Sequence, residues 1–167
     1  MYRKVKQKQV KKFELNKERE NIMKMLQKSA VMRGTDNMVI KEIPVPQIKD
    51  KEVLVSLEYV GICGSDVHYY HNGCCGAYKV DLSEDFMLGH ECAGTIVEVG
   101  KEVEKLKVGD RVALEPGITC GKCEFCKSGH YNLCPDVVFL ATPPVQGCNE
   151  EFIAFPEDMC FKLPENV

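Results

Sequence analysis

The sequence predicts a mainly β fold, a small barrel or sandwich that carries a cysteine-rich loop. Three observations point there. From Ser29 onward, short runs of β-branched and apolar residues alternate with turn residues. No G-x-G-x-x-G follows a strand and no strand–helix series runs along the chain, so a doubly wound nucleotide-binding sheet is not predicted. Ten cysteines occur in 167 residues, and four of them fall within fifteen residues of one another.

The elements follow in order. Met1–Lys28 is rich in Lys, Glu and Gln, with ten basic residues against three Glu. It lacks Gly and Pro, and Ile22, Met25 and Leu26 share a helical spacing, so residues 1–28 are predicted as a basic, helical or frayed extension. Met38–Ile43 alternates and is ended by Pro44 and Pro46. Val53–Val60, Gly94–Val99 and Arg111–Leu114 read as strands, with turns at Gly100 and Gly109-Asp110. Glu151–Phe155 and Cys160–Leu163 form a late pair of strands around Pro156–Asp158.

Composition narrows the function classes. The chain is 44% hydrophobic and 28% charged, too apolar for a disordered chain. No apolar run approaches the roughly 18 residues of a membrane helix, and the basic first 28 residues have no apolar core of a secretory signal. Ser29–Val167 carries twelve basic residues against 22 acidic ones. That acidic body argues against a nucleic-acid-binding face. Without a visible leader, the cysteines point to a reducing, cytoplasmic compartment, where metal binding or catalysis explains them better than disulfides do.

The strongest motif is Cys120-x2-Cys123-x2-Cys126-x7-Cys134, on a loop with Gly117, Gly121 and Gly129. Zinc–sulfur bonds of about 2.3 Å need ligands on a chain that folds back tightly, and two-residue gaps allow it. Four thiolates leave no open position, so this set reads as structural. An iron–sulfur cluster is the rival, but that motif continues with C-x3-C-P, and here seven residues precede Cys134-Pro135.

The second motif is Gly61-Ile62-Cys63-Gly64-Ser65-Asp66-Val67-His68, placed after a strand. The third is Gly89-His90-Glu91-x2-Gly94-x5-Gly100-x2-Val103. An imidazole, a carboxylate and a thiolate from Cys63 make a three-ligand set that leaves room for water or substrate, which is the mark of a catalytic zinc. The remaining candidates are weaker. His68, His71 and His130 read as polar loop residues, and Cys74-Cys75 point apart in extended chain. Cys92, Cys148 and Cys160 read as small buried residues, and Asp110-Arg111 as a turn with a structural ion pair.

On these motifs residues 29–167 resemble the N-terminal, GroES-like catalytic domain of zinc-dependent medium-chain alcohol dehydrogenases. Within that family the chain is most similar to the sorbitol (L-iditol)/xylitol dehydrogenase branch. The similarity lies in Gly61–Tyr69, Gly89–Glu91, Gly109–Gly117, Tyr131–Cys134, Phe139–Pro144 and Lys162–Val167. The resemblance implies a partly open β-barrel with short helices and a zinc-binding loop lobe. It implies two Zn2+ sites, a catalytic one at Cys63, His90 and Glu91 and a structural one at Cys120, Cys123, Cys126 and Cys134. It assigns Ser65 to proton transfer and Tyr69 and Phe139 to the polyol pocket. A further glutamate of the family falls just past Val167. The implied reaction oxidises a secondary alcohol of a sorbitol- or xylitol-like polyol to a ketose, with hydride passing to NAD(P).

The family's NAD-binding Rossmann domain has no counterpart in the sequence, which ends Leu163–Val167 without a closing element. The chain therefore reads as cut at a domain junction, with no dehydrogenase turnover alone; the full-length enzyme is expected to be a homo-oligomer. Three alternatives stay open. One is a threonine- or butanediol-type zinc dehydrogenase domain. Another is a non-catalytic zinc-binding β-barrel module. The third is a zinc-ribbon module with the basic tail as a nucleic-acid arm. The expected partner is a small alcohol, with neither nucleic acid nor membrane.

Overall fold

The computed structural model describes residues 25–167. The expected helical extension falls almost wholly outside the described residues. Where it overlaps them it is corrected, because Leu26–Met32 is a strand, β1. The remaining elements are β2 (Met38–Pro44), β3 (Glu52–Gly61), helix α1 (Gly64–Asn72), β4 (Cys74–Cys75), β5 (Tyr78–Lys79), β6 (Phe86–Met87), β7 (Glu91–Val99), β8 (Arg111–Leu114), β9 (Gly117–Ile118), the one-turn helix α2 (Glu124–Lys127), β10 (Val138–Phe139), β11 (Phe152–Pro156) and β12 (Cys160–Lys162).

An antiparallel sheet in the order β11-β3-β7-β8-β12 forms the body. Its outer strands do not pair with each other, so the barrel is partly open, as the family resemblance implies. The order follows from the alternation of each strand. Val53, Val55, Ile96, Val112, Ile153 and Phe155 all point to one side and are 6% exposed or less. Each such buried side chain is worth about 1.5–3 kcal/mol over its exposed state. Register shifts interrupt the β3–β7 pair between Leu54/Val55 and between Leu57/Tyr59.

The second sheet, β2-β1-β6, was not fully legible in the sequence. In β1 the inward positions are held by Gln27 and Ser29, each 1% exposed, as well as by Val31. Two polar residues on the buried face break the apolar alternation that marks a strand. Gln27 is accommodated because its Oε1 accepts the Phe152 amide at 2.6 Å and its Nε2 donates to Glu150 Oε2 at 2.9 Å. A smaller core of Met32, Tyr69, Val80, Phe86 and Leu88 joins this sheet to α1.

Candidate metal centre and its surroundings

The four cysteines of the loop lobe converge. Their sulfurs all lie within 4.8 Å of one another. The two-residue gaps let successive backbone amides aim at sulfur. Cys123 N donates to Cys120 Sγ, Cys126 N to Cys123 Sγ and Cys120 N to Cys134 Sγ, each at 3.4 Å. Amide donors favour the thiolate, and the amides of Lys122 and Cys123 hold Cys120 down to about 6. Helix α2 is a single turn capped by Cys123, so the lobe gains little from regular structure. Four soft donors at tetrahedral reach fit zinc, and the iron–sulfur spacing is not met.

The second set is assembled from two separate segments. Cys63 caps the N-terminus of α1. His90 and Glu91 stand at the start of β7, which begins three residues earlier than the sequence predicts. One donor atom from each lies within 4.8 Å of the other two. The His90 side chain is 12% exposed, whereas Glu91 is exposed, so the set is buried behind and open in front.

Asp66, which the sequence reading did not single out as a functional residue, holds the two segments in register. It is 5% exposed. One carboxylate oxygen accepts the Cys63 amide at 2.9 Å, and the other accepts the Gly89 amide at 3.1 Å and faces His90 Nδ1 at 3.6 Å. A carboxylate facing Nδ1 favours the proton on that nitrogen, which would leave Nε2 to a metal. The available signal was positional, since Asp66 is the third residue of a helix whose cap is a candidate ligand.

Two glycines of the motifs have steric reasons. Gly61 pairs with Glu91 across β3–β7, and a Cβ there would lie 2.4 Å from Glu91 Oε2. Gly89 has φ +92°, and its Cβ would lie 2.4 Å from Asn149 Oδ1. A cavity of about 260 Å³ runs beside these residues, with Gly61, Asp66, Leu88 and Asn149 in its wall.

The other expected positions are distributed as follows. Phe139, on β10, sets its ring 5.7 Å from the His90 ring. Ser65 is half-buried in the first turn of α1, two residues after Cys63. Tyr69 is 4% exposed and packed on Phe86 in the smaller core; burial pushes its hydroxyl up. His68 is exposed, His71 pairs with Asp36, and His130 bonds Ser128. Asp110 makes its ion pair with Lys162 rather than with Arg111. Cys74 and Cys75 form one short strand of a hairpin. No helix among the described residues is long and apolar enough to cross a membrane.

The fold and the two donor sets define an alcohol dehydrogenase GroES-like domain. That family matches residues 49–165, and the chain belongs to it. Among individual proteins, the chain is 55% identical over 140 residues to the sorbitol dehydrogenase of Bacillus subtilis, covering 84% of this chain and 39% of that one. It is 50% identical over 139 residues to a sorbitol dehydrogenase of Arabidopsis thaliana, covering 83% and 38%. A crystal structure of an Escherichia coli oxidoreductase/dehydrogenase of unknown specificity superposes with a TM-score of 0.78 at 46% identity, covering 86% of this chain and 41% of that one. The chain thus spans about two fifths of the length of the relatives it matches.

Proposed function

We propose that this chain is the metal-bearing catalytic domain of a zinc-dependent polyol dehydrogenase, which oxidises a secondary alcohol of a sorbitol- or xylitol-like substrate with NAD(P). The observation that carries the reading is the convergence of Cys63, His90 and Glu91 into an open set beside a closed set of four cysteines. The sorbitol dehydrogenases among its relatives support the substrate class.

The residues divide the work. Cys63, His90 and Glu91 would hold the catalytic zinc, and Cys120, Cys123, Cys126 and Cys134 a structural one. A bound zinc supplies Lewis acidity that brings the pKa of a bound hydroxyl toward neutrality. Asp66 keeps the His90 imidazole in the ligand tautomer. Ser65, in the first turn of the helix that Cys63 caps, accepts the alcohol proton and passes it outward. Phe139 walls the substrate side of His90, and Tyr69 backs the pocket from the smaller core. A nicotinamide, bound on a Rossmann domain of the kind full-length dehydrogenases carry, would supply the hydride acceptor. The working enzyme is a cytoplasmic homo-oligomer.

Metal analysis of the reduced chain beside a Cys63→Ser variant tests the reading. About two zincs per chain, falling to one in the variant, is the expected result. A single zinc unaffected by the variant would leave only the loop lobe and overturn the catalytic assignment. Iron in place of zinc would overturn both.

A further inference from the structure

The loop lobe carries an apolar surface that neither donor set uses. Phe125, Tyr131, Leu133, Val137 and Val138 fall within fourteen residues of chain, and each is between 39% and 55% exposed. Main-chain bonds fold these positions together. His130 N donates to Phe125 O at 2.8 Å, Leu133 N to His130 O at 2.9 Å and Val137 N to Cys134 O at 3.3 Å. Val138 stands on β10, whose partner among the described strands is β9. Large apolar side chains gathered in water on one small unit mark an interaction surface, whereas the same residues scattered singly would not.

The charges on the lobe indicate what covers it. Lys122, Glu124, Lys127 and Asp136 are all exposed, and none of them has an ion pair among the described residues. Elsewhere Lys101, Lys105 and Lys162 meet carboxylates of their own chain. The lobe thus offers two cations and two anions, within a body of twelve basic and 22 acidic residues. Two copies of this chain repel each other through their bodies but not through their lobes. A two-fold axis brings the cations of one lobe to the anions of the other, because each copy supplies both signs. A basic partner would instead be drawn to the acidic body, and an acidic partner would find no net charge on the lobe to attract it.

We propose that the loop lobe is an interface between two copies of this chain. Phe125, Tyr131, Leu133 and Val138 pack across a two-fold axis, and Lys122 and Lys127 face the partner's Glu124 and Asp136. Apolar side chains form the centre of such a contact and the charges its rim. The centre supplies affinity by leaving water, and the rim fixes the orientation of the two copies. Because the contact is isologous, each substitution in the lobe acts twice. The interface uses no metal-ligating side chain, and the inference does not depend on which alcohol the protein oxidises.

Sedimentation velocity of the reduced, zinc-loaded chain, from low to several hundred micromolar, tests the proposal. The expected result is a dimer that forms as concentration rises. Leu133→Glu sets two carboxylates near the axis and is expected to weaken dimerisation at least about tenfold. Val138→Glu serves if the first variant does not fold, with circular dichroism and metal content as the check on the lobe. The charges are tested at low salt. Lys122→Glu/Lys127→Glu and Glu124→Lys/Asp136→Lys are each expected to stay monomeric, and their mixture to associate. A wild-type chain that remains monomeric throughout overturns the proposal. So does a dimer that Leu133→Glu and Val138→Glu both leave unchanged, or a mixture of the charge variants that associates no more than either alone.

Discussion

Asp66 shows how one carboxylate can set the geometry of a site it does not itself ligate. Its two oxygens reach the amides of Cys63 and Gly89 and the ring of His90, which lie on segments far apart in the chain. Asp66→Asn keeps the shape and removes the charge. It is expected to weaken metal binding at the open set about 10- to 100-fold, read by competition with a chelator, while the four-cysteine set keeps its metal. Gly61 acts sterically. Gly61→Ala is expected to push the Glu91 carboxylate aside and lower affinity at the open set, while Cys120–Cys134 metal content is unchanged. Glu150 acts through the burial of its own charge. Burial pushes it up to about 7 from an ordinary 4.5, against a single donor from Gln27. The folded state therefore binds more protons than the unfolded state between those values, and stability falls as pH rises through that window. Glu150→Gln should flatten the slope and raise stability at pH 8 by about 3 kcal/mol at most, measured by urea unfolding at pH 5 and pH 8.

At the scale of elements, β1 and the loop lobe depend on different forces. Strand β1 is tied to β11 and its approach through Gln27, whose amide satisfies the Phe152 amide and Glu150 at once. Gln27→Ala leaves a buried donor and a carboxylate unpaired. It is expected to cost about 2–4 kcal/mol, since each orphaned group costs about 1–3 kcal/mol, seen as a lower urea midpoint with an unchanged slope. The loop lobe has a one-turn helix, and Phe125, Tyr131 and Leu133 on it are exposed. A metal held by its four cysteines would be its main source of order. Chelation should open amide exchange across residues 120–134 while the amides of Val53–Val55 and Ile96 stay protected. Equal protection of both regions after chelation would refute that dependence.

The whole molecule is a sheet whose strands were largely readable and a site whose assembly was not. Val53–Val60 and Arg111–Leu114 obeyed simple rules, because each is a short run of β-branched and apolar residues that the core buries. Strand β1 escaped the same rules because its inward residues are polar and are satisfied only by partners more than 120 residues away. The early start of β7 escaped them because His90 and Glu91 read as a motif rather than as strand. The wild-type chain mixed with sorbitol or xylitol and NAD is expected to show no turnover, since the proposed reaction places the nicotinamide on a further domain. Robust turnover would refute that division of labour.

The sequence by itself determined the ligand types, their spacing within each motif, the alternation that builds the main sheet, and the family. These are local properties, carried by residues a few positions apart. The tertiary structure alone decided that Cys63 meets His90 and Glu91 and that Asp66 braces both segments. The contacts between the two segments join residues 23 to 28 positions apart. They depend on the β3–β7 pairing that sets Gly61 beside Glu91 and on the packing of the 147–149 segment against Met87–Gly89. No pattern along the chain encodes such distances, because they emerge only when the whole sheet has buried its apolar face.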